Sequence, residues 1–140
     1  MNNNFVYKKK EDKSLRADFG RRVNKNENAF IDYNDFKAWY DDQIKVCNYC
    51  GLTEEESQEI VVTKLLTSNR FPQNGVPGRG TSRGMFLEVD RVEPKGNYSR
   101  NNCVMCCYFC NNDKSDVFHG NHYKEFFQNR IQYLRNLLEK

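Results

Sequence analysis

Two Cys-x-x-Cys pairs constrain this chain most: Cys47 with Cys50 in "CNYCG", and Cys107 with Cys110 in "CYFC". Together they supply four soft thiolates, enough to close a tetrahedral structural zinc site with no open coordination position. Disulfides are the other device that reinforces a small core. The amino-terminal stretch "MNNNFVYKKKEDKSLR" is polar and basic and lacks the apolar run of a signal peptide, and no later stretch approaches membrane-spanning length. The expected location is therefore cytoplasmic, where reducing conditions disfavour disulfides, so the pairs read as metal ligands. Cys103 and Cys106 share the same spacing. On a strand, however, their side chains point to opposite faces, whereas Cys107 and Cys110 lie at a strand-to-helix turn, so Cys103 and Cys106 are assigned to packing.

A length of 140 residues with low mean hydropathy supports one modest core. Residues 1–28 show no clear period and carry many Asn and Lys, which predicts a mobile or weakly helical basic arm ahead of a single domain over 29–140. Phe36, Trp39, Tyr40 and Ile44 share one face of a helix expected from Asn34 to Val46, capped by Asp32 or Asn34. Thr53 with Glu56 forms a capping-box signature for a second helix running to about Thr67. The glutamates of "TEEE" then serve the positive end of that helix rather than catalysis.

The Gly- and Pro-rich stretch "NRFPQNGVPGRGTSRG" is a long loop. "MFLEV" and "CVMC" read as two strands of an antiparallel hairpin, and "NNDKSD" as the start of a helix. Phe127, Ile131, Leu134 and Leu138 recur at helical spacing, giving an amphipathic carboxy-terminal helix over about 121–138. The fold class is therefore α+β.

The net charge of +3 is mild and does not by itself identify a nucleic-acid binder. Its distribution is uneven. Basic residues gather near the amino terminus (Lys8 to Lys10, Lys13, Arg16, Arg21, Arg22, Lys25) and again at Arg70, Arg79, Arg83, Arg91, Lys95 and Arg100. Loops of this length in compact domains are commonly functional or disordered: Arg70, Arg79 and Arg83 suit contact with a phosphate backbone, and a merely flexible connection is the alternative.

"CNYCG" followed by "LEVDRVEPKGNYSRNNCVMCCYFCNNDKSD" resembles the His-Asn-His (HNH) nucleases with a ββα-metal fold, whose zinc-bound forms carry one Cys-x-x-Cys before the motif and another inside it. The resemblance covers roughly 36–118, with its motif core at 85–118. It implies that Asp90 and Asn111 hold one catalytic Mg²⁺ or Mn²⁺, hard cations suited to a carboxylate and a carboxamide. By the same resemblance Asn102 orients the active-site loop and Lys114, in an Asn-x-x-Lys-x-Asp ending, binds phosphate. Asp116 supports a helix or loop.

One departure is visible. The family's water-activating His after the metal-binding Asp is replaced by Arg91, and arginine cannot act as a base near neutral pH. The arrangement resembles a variant found in phage HNH proteins and small zinc-bound restriction endonucleases, in which a hairpin-loop Tyr, here Tyr98, takes the missing role. A free phenol has a pKa of about 10, so the role needs a neighbouring positive charge. His119 and His122 are the rival bases.

The resemblance implies a DNA endonuclease, in first place a site-specific type II restriction enzyme. Cutting both strands of duplex DNA at a palindrome then calls for a homodimer. The alternatives are a non-catalytic zinc module that binds DNA or protein, and a phage or homing nuclease. Lys95, Arg100 and the arginines of the long loop are the expected DNA contacts.

Overall fold

The computed structural model describes residues 5–23 and 30–139. Six helices and one two-stranded sheet are assigned there: α1 (Asp12–Arg21), α2 (Tyr33–Asp42), α3 (Glu54–Val62), β1 (Glu88–Arg91), β2 (Cys103–Cys106), α4 (Tyr108–Lys114), α5 (Gly120–Phe126) and α6 (Gln128–Leu138). Lys25 and the rest of 24–28, the end of the expected arm, lie outside the described residues.

The amino-terminal segment differs from the sequence expectation. Leu15, Phe19 and Val23 recur every four residues and are buried, and Phe19 packs on Tyr33 and Phe36 of α2 at ring separations of 5.8 and 5.5 Å. Each such burial contributes on the order of 2 kcal/mol. Helix α1 is therefore part of the core, its narrow apolar stripe diluted in sequence by Lys, Asp and Arg.

Helix α2 starts where the Asp32 carboxylate accepts the Asp35 amide at 2.9 Å. It stops at Asp42, short of Val46, because the Lys45 ammonium folds back to donate to the carbonyls of Tyr40 and Gln43 at 2.6 and 2.9 Å. Ile44 is consequently exposed and not on the buried face with Phe36, Trp39 and Tyr40. The capping box of α3 forms as expected, Thr53 and Glu56 exchanging two 3.0 Å bonds. That helix also ends early, at Val62, where Lys64 takes a left-handed φ of 61° and the amides of Leu65 and Leu66 both turn back to Ile60.

The hairpin is antiparallel, with Asp90 opposite Val104 and Arg91 opposite Cys103. First-turn Glu54 is buried and accepts the Leu87 amide at 2.9 Å, which fixes the entry to β1 against α3. Helix α4 begins at Tyr108, before "NNDKSD" rather than within it, because the Cys107 sulfur accepts the Cys110 amide and serves as its cap. Ser115, at φ 55°, closes it. The carboxy-terminal helix is two helices. The break at Phe127 lets Tyr123 of α5 pack on Tyr49 while Ile131 and Leu134 of α6 are buried, with Arg135 reaching Glu56 of α3 at 2.7 Å.

Candidate active site

The first cysteine pair sits on a turn made by Gly51, whose φ of 79° is open to glycine and whose amide donates to the Cys47 carbonyl at 3.0 Å. The Asn48 amide docks that turn on β2 through the Met105 carbonyl at 2.8 Å. The second pair caps and enters α4. As a result the Sγ atoms of Cys47, Cys50, Cys107 and Cys110 lie within 4.8 Å of one another, all buried, with Cys50 and Cys107 3.6 Å apart. Zinc–sulfur bonds of about 2.3 Å in a tetrahedron place sulfurs roughly 3.8 Å apart, so the donor set fits zinc.

Hydrogen bonds from the neighbouring cysteine thiols lower the pKa of Cys47, whereas Cys107 and Cys110 are raised, so among the four Cys47 is the sulfur that gives up its proton most readily. Cys103 and Cys106 stay outside the four-sulfur group. Burial pushes Cys103 up to about 12, and Cys106 donates its thiol to the Cys107 carbonyl at 3.3 Å.

A second feature opens beside the hairpin. Asp90, only 6% exposed, accepts the Tyr49 hydroxyl on one carboxylate oxygen at 2.7 Å and the Lys114 ammonium on the other at 3.3 Å. Burial raises its pKa, opposed by those two donors. Lys114 does not reach a phosphate as expected: it is 1% exposed, and its ammonium also donates to the carbonyls of Arg91 and Ser115 at 2.9 and 3.4 Å. All three of its protons are engaged within the fold. It is a buried counter-ion.

Asp90 lines a cleft of about 330 Å³ together with Arg91, Tyr98, Asn111, Asp116 and Arg22. The Arg91 guanidinium lies 4.8 Å from the centre of the Tyr98 ring and donates to the Gly96 carbonyl at 3.2 Å, an arrangement that aims a fixed cation into the cleft. Asn102 stands behind it. Its side chain accepts the Glu93 amide at 2.9 Å and donates to the Glu93 and Asn97 carbonyls at 3.0 Å, stapling the hairpin loop. Asn111 donates its NH₂ group to Glu88 at 2.6 Å. The Asp90 carboxylate keeps acceptor capacity beyond the Tyr49, Lys114 and Arg91-amide donors, and the Asn111 carbonyl oxygen is a second hard donor, a set that suits Mg²⁺ or Mn²⁺.

The remaining sequence candidates are dispersed. Arg83 borders the cleft, held by Glu88 at 3.1 Å and stacked 4.5 Å over Tyr108. Arg70 donates to the Tyr108 hydroxyl at 3.0 Å and lines a different hollow. Arg79 and Lys95 are exposed, and Arg100 pairs with Asp35, tying the hairpin loop to α2. His119 is the cap of α5, its Nδ1 accepting the Asn121 amide at 3.1 Å. Neither it nor His122 lines the Asp90 cleft.

Three residues of the site escaped the sequence reading. Tyr49, inside the first Cys-x-x-Cys, carried a signal only in its place between two ligands. Glu88 lies two residues before Asp90, the spacing that puts both on one face of a strand. Arg22 was one basic residue among many in the expected arm.

No protein-family model matches the chain, and neither does any curated protein. Among solved structures it is similar to the rare-cutting HNH restriction endonuclease PacI, with a TM-score of 0.60 at 22% identity over 89% of this chain and 76% of that one. The chain thus shares the overall α+β fold of that structure.

Proposed function

We propose that this protein is a metal-dependent DNA endonuclease that hydrolyses phosphodiester bonds, and that it works as a homodimeric type II restriction enzyme. The observation that carries the reading is the convergence of Asp90, Asn111 and the oriented Arg91 on one cleft of an HNH fold. Asp90 and Asn111 hold the divalent ion, which when bound supplies charge stabilisation to the scissile phosphate and the departing 3′ oxygen. Arg91 clamps a phosphate oxygen, and its stacking on Tyr98 removes the need to order a flexible side chain on binding. Lys114 keeps the buried Asp90 ionised in readiness for that ion.

Water activation falls to a tyrosine. Tyr98 faces the cleft beside Arg91, whereas Tyr49 hydrogen-bonds Asp90 directly, its pKa raised first by burial and then by the Asp90 charge. Tyr98→Phe is expected to lower the cleavage rate by about 10²–10⁴-fold if its oxygen takes the proton. An equal loss in Tyr49→Phe with none in Tyr98→Phe would take the role away from Tyr98 and mark Tyr49 as the donor that orients Asp90.

A non-catalytic zinc module has one observation in its favour, the buried ammonium already compensating Asp90. Incubation of long duplex DNA with the zinc-loaded protein and Mg²⁺ separates the two. Discrete bands that vanish in Asp90→Ala are expected, and a protein that binds DNA without producing ends under any divalent metal would overturn the enzyme reading.

A further inference from the structure

A carboxamide used as a metal ligand has a problem that a carboxylate lacks. Its oxygen coordinates and its NH₂ group repels, yet the two ends have nearly the same shape, so the site works only if something decides which end faces the ion. In this chain the decision lies on β1. Glu88 and Asp90 are alternate residues of the strand and leave it on the same face, opposite the first turn of α4 that carries Asn111.

The Asn111 NH₂ group donates to Glu88 Oε1 at 2.6 Å. The flipped amide would set two acceptors against each other at that distance. Glu88 is itself restrained, since the Arg83 guanidinium contacts its two oxygens at 3.1 and 3.2 Å and is stacked on Tyr108. Its side chain is 14% exposed against 37% for Arg83, so the carboxylate faces the protein.

We infer that Glu88 is a positioning residue for the divalent-metal site: it locks the Asn111 amide so that the oxygen, and not the NH₂ group, is presented to the cleft shared with Asp90. The inference rests on the reading of Asp90 and Asn111 as the metal-binding pair. Glu88 acts through Asn111, with Arg83 holding it in place. Partners of this kind typically change metal affinity by about 10–100-fold when removed.

The test is a titration of the zinc-loaded full chain with Mn²⁺, reading free Mn²⁺ by electron paramagnetic resonance, with zinc content and thermal transition recorded for every variant. Glu88→Gln presents either an acceptor or a donor to Asn111, so the lock is lost, and the Mn²⁺ Kd is expected to rise by about 10–100-fold. Loss of a negative charge could weaken binding without any effect on orientation, so the decisive variant conserves charge. In the exchange Glu88→Gln with Asn111→Asp, the carboxamide introduced on β1 can donate to a carboxylate that offers oxygen whichever way it turns.

The exchange is therefore expected to recover most of the affinity lost in Glu88→Gln alone. Wild-type Mn²⁺ affinity in Glu88→Gln, or an exchange as weak as the single variant, would overturn the inference and leave the endonuclease reading in place. Absence of Mn²⁺ binding in the wild-type chain and in Asp90→Ala alike would instead remove the metal-binding pair itself, and the inference with it.

Discussion

The sulfur centre and the oxygen-lined cleft are built from the same few elements, yet they are opposite kinds of site. The first gathers four buried thiols of the chain, enough to complete a tetrahedral coordination sphere for zinc. The second has one carboxylate and one carboxamide at the edge of a cleft, and as the metal site proposed above it would leave the other positions to water and substrate. A closed site can contribute folding free energy; an open one can take part in a reaction. Tyr49 joins the two. Its amide hydrogen-bonds the Cys47 sulfur at 3.4 Å and its hydroxyl reaches Asp90 at 2.7 Å, so the turn that four sulfurs close also sets the carboxylate of the cleft.

The largest effect should come from emptying the closed site. Structural zinc in small domains supplies about 10–16 kcal/mol of apparent folding free energy, more than a domain of this size holds in reserve. Complete zinc removal, or Cys107→Ser, is therefore expected to abolish the near-ultraviolet circular dichroism signal and the cooperative melt. A metal-free chain that keeps both would show that the closed site is not needed for folding.

Next in size is the ion pair beneath the cleft. Lys114→Met leaves a buried carboxylate with Tyr49 as its remaining side-chain donor among the described residues, and breaking one side of such a pair costs about 3–5 kcal/mol. Urea denaturation reads the loss. Added Mn²⁺ should return part of it if the cleft accepts a cation, and a variant as stable as wild type would show that the pair is dispensable.

The smallest effect is expected at the rim. Arg22, at the end of α1, borders the same cleft. Arg22→Ala should weaken binding to all DNA sequences alike and lower the salt dependence of the affinity by about one counterion. An unchanged salt slope would place α1 outside the interface.

The closed site was the more legible of the two because spacing alone encodes it: two residues between thiols force a turn, and two turns make four ligands. The capping box at Thr53 and Glu56 was readable for the same reason, being local. The open site depends on partners far apart in sequence. Lys114 looks like any surface lysine in "NNDKSD", and its burial follows only once β1 brings Asp90 and the Arg91 carbonyl to it. Tyr49 meets its acceptor across 41 residues. The core role of helix α1, a segment expected to be mobile or weakly helical, was missed on other grounds. Three apolar residues carry its core contact while charged neighbours dominate its composition. The break at Phe127 was hidden because helical spacing continues through it, and stacking on Tyr123 at 4.8 Å, a tertiary contact, accompanies the turn.

The position of the long arginine-containing loop has an evolutionary consequence. Residues 69–84 lie between Cys50 and Cys107, so zinc at the four cysteines would pin the chain on both sides of them and make the loop an arc of a metal-closed ring. The entropy of closing a flexible ring grows only with the logarithm of its length, about 0.6 kcal/mol for each doubling. Insertions and deletions between Asn74 and Gly80, clear of the Arg70 and Arg83 contacts, can then accumulate with little penalty to the hairpin and cleft, and that stretch becomes the part of this fold in which new length is most easily tried.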